Sequence, residues 1–189
     1  LLADHYEGTE CDESQRYRHG EPHAHGVNSI CAPHNQYGFV TQLRSDMPAD
    51  IGTVMWLAPR RPCIQPYVPW YLGMQQIPGD FAQSGPEKAL ETHFEAPDNM
   101  YEAAPGHAFT QYARFANYVD KHYGKLHERV GSFKQETQQQ IFREQEQAEK
   151  QALDVYPNDR EKALEYLSRF TIKYLEHTRQ FMQEFPREE

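Results

Sequence analysis

The sequence predicts an α+β chain, with antiparallel strands inside residues 27–73 and long helices inside residues 84–187. Three observations predict it. Tyr37, Phe39, Thr41 and Leu43 alternate with Gly38, Val40 and Gln42, the period-two pattern of a strand covered on one or both faces. Two stretches rich in turn residues, Met47-Pro48-Ala49-Asp50 and Pro59-Arg60-Arg61-Pro62, separate the strand-like segments, and such short connections favour antiparallel neighbours. From His107 onward apolar residues recur at alternating three- and four-residue steps, which places them on one face of a helix.

The elements follow in chain order. Residues 1–26 read as a helix end and a polar loop: Leu1 to Gly8 has the look of a last helical turn closed by a C-cap glycine. A lone turn nucleates poorly, so a longer parent protein is expected around it. Thr9 to Gly26 is rich in His, Glu and Gly, lacks either period, and reads as a connector. Strand character appears at Val27 to Cys31 leading into Tyr37 to Arg44, at Thr53 to Ala58, and at Cys63 to Val68. Pro66 and Pro69 push the last strand toward a sheet edge or an early end, because proline cannot donate to a ladder.

Pro86 to Phe94 is a short candidate helix with proline at a first-turn position. Phe109, Tyr112, Ala116, Val119, Tyr123, Leu126, Val130 and Phe133 form one helical stripe, weakened by Gly124 and Gly131. Gln135 to Gln151 continues it as a largely solvated helix anchored by Ile141, Phe142 and Leu153, bending or breaking near Pro157. Asn158 and Glu161 have capping-box spacing, and Leu164, Leu167, Thr171, Tyr174, Thr178, Phe181 and Phe185 form a second stripe. Two long helices joined by a short turn make an antiparallel hairpin.

A length of 189 residues suits a single domain, or one part of a larger one. Twelve Tyr, ten Phe and two Trp supply enough large side chains for a real core. The net charge of -9 argues against nucleic acid as a partner, since only Arg60-Arg61 approaches a basic cluster. No apolar run is long enough to cross a bilayer, so no membrane partner is expected. Cys11, Cys31 and Cys63 are odd in number and widely spaced, unlike a disulfide framework or a zinc knuckle. They read as reduced or buried thiols, which favours the cytoplasm without fixing the compartment.

Several residues have chemistry to weigh. Cys31 with His34 three positions on could be a thiol and its base, but a buried thiol in a strand is the better reading. His19, His23 and His25 could offer imidazoles to a metal, yet the sequence supplies no evident fourth ligand; a solvated loop is expected, with no metal and no cofactor. Arg44 at a strand end could hold a peptide carboxylate through two parallel hydrogen bonds, or merely pair with an acid such as Asp46. Asp4-His5 could be an acid–base pair, with a helix-end cap preferred. Trp70 and Tyr71 could line a pocket or fill the core. Arg44, His5 and Tyr71 are the substrate-binding candidates.

Ser29-Ile30-Cys31-Ala32-Pro33 followed by Phe39-Val40-Thr41-Gln42-Leu43-Arg44-Ser45-Asp46-Met47-Pro48-Ala49-Asp50-Ile51-Gly52 resembles the cysteine dipeptidase family that includes dipeptidase A and the secernins. Asp4-His5-Tyr6-Glu7-Gly8-Thr9 and Val68-Pro69-Trp70-Tyr71-Leu72-Gly73 resemble two further motifs of that family, in the same order. The resemblance covers residues 1 to about 130. It implies an αββα sandwich of the N-terminal-nucleophile hydrolase kind, to which this chain supplies part of the sheets and the trailing helices. It also implies a nucleophilic cysteine at the mature N-terminus, whose own α-amino group is the base. Leu1 cannot play that part, so the catalytic residues are expected upstream and the isolated chain is expected to be inactive.

The implied partners are a dipeptide and the N-terminal part of the same protein; the sequence leaves a homo-oligomer open. The alternative reading is a non-catalytic helical interaction module, in which the two stripes recruit a partner.

Overall fold

The computed structural model describes residues 2–6, 9–11, 23, 29–32, 34–82 and 106–186. Among them β1 (Tyr37–Leu43), β2 (Thr53–Pro59) and β3 (Val68–Tyr71) form an antiparallel sheet in the order β1-β2-β3. The β1–β2 register pairs Val40 with Trp56 and Gln42 with Val54. Between these strands α1 (Ala49–Gly52) is a single turn, entered at Pro48, whose carbonyl accepts from Ile51 N and Gly52 N at 2.9 and 2.8 Å. Gly52 O in turn accepts from Arg44 N at 3.1 Å and closes the hairpin. A Cβ on Gly52 would stand 2.6 Å from the Arg44 carbonyl oxygen, so the motif needs glycine for its close approach.

The third strand starts later than its sequence suggests. Pro62 to Gln65 turns instead, and Tyr67 is held by a side chain: its N–H donates to Gln138 Oε1 at 2.7 Å, while Gln138 Nε2 donates to Tyr67 O at 3.2 Å. The glutamine amide satisfies the backbone as a strand neighbour would, and ladder pairing begins only at Val68. Pro69 lies within β3 and, as expected, this is an edge of the described sheet. Ser29 to Cys31 is not strand; Cys31 N donates to Asp4 O at 3.2 Å. Leu2 to Tyr6 is not helical either. Asp4 Oδ1 accepts from Tyr6 N at 2.7 Å, and Tyr6 has φ 64°, a conformation that ends rather than continues a helix. Gly8, most of the Thr9 to Gly26 connector and the Pro86 to Phe94 helix lie outside the described residues.

Three helices follow: α2 (Ala108–Lys121), α3 (Tyr123–Val155) and α4 (Arg160–Gln183). The first stripe does not run through one helix, because His122 leaves helical geometry at φ −120°, ψ 19° and separates α2 from α3. The break at Pro157 forms as expected, and the cap of α4 is Asp159, one residue beyond Asn158, its side chain accepting from Lys162 N. Arg129 pairs with Glu184, and Lys173 with Glu144, so α3 and α4 run antiparallel.

Two apolar clusters result. One packs Val54, Trp56 and Tyr71 of the sheet against Ile141 of α3 and Leu164, Leu167 and Tyr174 of α4. The other joins Tyr112 and Phe115 of α2 to Val130 and to Phe181 and Phe185. The second helical stripe is thus buried in the chain's own core, and the first is buried or half-buried. Among the described residues nothing covers the opposite face of β1 and β2: Tyr37, Phe39, Leu43 and Met55 are exposed there, Leu43 by 75%.

Candidate functional site

The sequence-predicted residues fall into two separate places. Arg44, at the end of β1, points across the sheet to α3 and makes a two-pronged pair with Glu149, at 2.6 Å to Oε2 and 2.7 Å to Oε1. Its Nη2 also donates to Ile51 O at 3.1 Å. Tyr71 on β3 reaches the same carboxylate, donating to Oε1 at 2.9 Å, and Gln145 one turn earlier on α3 adds a bond of 2.8 Å. The carboxylate is buried and fully engaged, as a buried charge must be. The Glu149 hydrogen bond raises Arg44's pKa, while burial first and Glu149 second push the Tyr71 phenol well above its usual value. In this arrangement the anion held by Arg44 is the chain's own, and it ties both outer strands to one helix; Asp46 stays exposed. Tyr71 is core, and Trp70 packs edge-on against Phe81 at 5.1 Å.

His5 stands elsewhere. Its Nε2 lies 3.3 Å from Nε2 of His23, with the rings edge to face. His23 Nε2 is 3.8 Å from Cys31 Sγ and 4.0 Å from Cys63 Sγ. His5, His23 and Cys31 are buried, Cys31 with no exposed surface, and Cys63 is half-buried. Each of the four offers one ligand atom, and these atoms all lie within 4.8 Å of one another. The second nitrogen of His23 faces Asp120 of α2 at 3.6 Å, and Asp120 also pairs with the buried Arg61. The hydrogen bond with Cys63 is the main cause holding the Cys31 thiol down to about 3, against its burial and with help from His23 and His5. The same hydrogen bond, with burial, pushes Cys63 up.

The imidazole beside Cys31 is therefore His23, eight residues upstream, and not the exposed His34. Full burial keeps Cys31 from any external carbonyl. His23 is not solvated, whereas His19 and His25 lie outside the described residues and Cys11 is exposed. Sequence reasoning missed two participants, Glu149 and Cys63. Glu149 sits on the buried side of α3 with Ile141 and Ala152, so its place on that stripe was a usable signal. Cys63 had none, since its partners come from three distant segments.

Elsewhere, a groove of about 650 Å³ opens where Val40 and Trp56 face Gln138 and Phe142.

The fold is α+β, and its motif-bearing segments, the Arg44 hairpin and the Tyr71 strand, are bound into one core. The family model of peptidase family C69 matches residues 1–136. The chain belongs to that family, the cysteine dipeptidases of dipeptidase A and secernin type. Hydrolysis of peptide bonds by a thiol peptidase is thus its functional class. No curated protein and no solved structure matches the chain.

Proposed function

We propose that these residues form part of a dipeptidase of the N-terminal-nucleophile type. A cysteine at the mature N-terminus, outside residues 1–189, attacks the dipeptide carbonyl, and its own α-amino group takes the thiol proton. The amine of the leaving amino acid departs protonated, and water then releases the acyl group from sulfur. This chain contributes a sheet, its helical cover and one side of the pocket.

One observation carries the reading beyond family membership. The β1–β2 sheet is covered by helices on one face and presents Tyr37, Phe39, Leu43 and Met55 on the other. An apolar sheet face normally packs against another layer, and in an αββα sandwich that layer is a second sheet. The remainder of the same protein is the occupant proposed for it.

The test uses the parent protein and a panel of dipeptides. Hydrolysis should produce a thioester on the N-terminal cysteine, visible as an acyl adduct by mass spectrometry in acid-quenched reactions, and the Cys→Ala version should lose both adduct and turnover. Undiminished turnover in that version would contradict the mechanism.

A further inference from the structure

The geometry points to a structural zinc site formed by His5, His23, Cys31 and Cys63. Two imidazoles and two thiolates are a donor set suited to Zn²⁺, and two thiolates balance its charge in a buried place. Bonds of about 2.0–2.1 Å to nitrogen and about 2.3 Å to sulfur set tetrahedral ligand separations near ~3.4 Å for N···N and ~3.6 Å for N···S. The observed separations are 3.3 Å between the two Nε2 atoms, and 3.8 and 4.0 Å from His23 Nε2 to the sulfurs. These three separations are within a few tenths of an ångström of those values, and all four ligand atoms lie within 4.8 Å of one another, so closing on one ion asks for side-chain shifts of no more than about 1 Å.

Hydrogen bonding alone serves this cluster poorly. Two facing Nε2 atoms can share a single proton, and a thiol is a weak donor. A cation placed among the four takes one lone pair from each at once. The other nitrogen of His23 faces the Asp120 carboxylate of α2 at 3.6 Å, just beyond hydrogen-bond reach, so a small closing movement gives it the carboxylate partner that ligating histidines usually have. The four ligands come from four parts of the chain: Leu2 to Tyr6, His23, Ser29 to Ala32 and the β2–β3 connection. The first three contain no helix or strand among the described residues, yet they meet in a buried place. A metal ion supplies the cross-link that such a region otherwise lacks. The ligands are spread over 59 positions, from 5 to 63, with no short-spaced pair, so no sequence pattern announces the site.

The experiment takes the full chain under reducing conditions, strips it with a chelator and titrates it with Zn²⁺, and in parallel with Co²⁺ as a spectroscopic probe. The expected result is one Zn²⁺ per chain by native mass spectrometry, with Co²⁺ giving thiolate charge-transfer absorption and the visible bands of a tetrahedral ion. Cys31→Ser and Cys63→Ser should each abolish the charge-transfer signature or reduce it by about half, whereas Cys11→Ser should leave it intact. If those variants fail to fold, alkylation of the unsubstituted chain decides: Zn²⁺ should shield the half-buried Cys63 but not the exposed Cys11, and the chelator should reverse the shielding. Equal alkylation of Cys63 with and without Zn²⁺, a Co²⁺ spectrum lacking thiolate bands, or no zinc uptake under reducing conditions would overturn the site.

Discussion

Glu149 gathers Arg44, Tyr71 and Gln145 on one buried carboxylate, so its removal leaves a partly buried guanidinium without its carboxylate and a buried phenol without its acceptor. Glu149→Ala should destabilise the chain by about 2–3 kcal/mol, less than the full cost of breaking a wholly buried ion pair because water still reaches Arg44. Glu149→Gln, which keeps the shape and an acceptor, should cost less. Urea denaturation of the three proteins checks this, and a loss under about 0.5 kcal/mol for the alanine variant would show that the network holds nothing. At this scale the sequence was legible in part. Arg44 and Tyr71 stood out because they lie in motifs, but their acceptor is 105 residues from Arg44 in a helix whose composition reads as solvated. The Cys–His cluster was legible only as separate residues, because its members meet through tertiary folding.

Among the elements, the β1–α1–β2 hairpin was readable because alternation, Pro48 and Gly52 are all local signals. Gly52→Ala should lower stability by about 1–3 kcal/mol, since the added methyl meets the Arg44 carbonyl and backbone must move. Thermal unfolding of the variant measures it, and an unchanged midpoint would mean that the turn relaxes freely. The start of β3 was not readable, because Gln138 of a distant helix takes up the Tyr67 backbone where a ladder was expected. Local propensity says little about such a substitute partner. The break at His122 escaped for a related reason: the apolar stripe continues across it, and periodicity reports which face is buried, not whether the backbone is continuous. The helix hairpin around Pro157 carried its own punctuation and formed within a residue of its expected cap.

At the scale of the whole molecule, the sheet has one face spent on α3 and α4 and, among the described residues, the other face exposed. Membership of family C69 gives the functional class, a thiol peptidase, and the exposed apolar face is the surface that the proposed sandwich would cover. The most direct measurement mixes the chain with the proposed segment that bears the N-terminal cysteine and follows dipeptide hydrolysis. The account predicts that activity appears on mixing and falls by more than about tenfold when Phe39 and Leu43 are replaced by Asp, since burying carboxylates against a second sheet costs several kcal/mol. Full activity from the cysteine-bearing segment alone, or no complex and no activity with both parts folded, would contradict it.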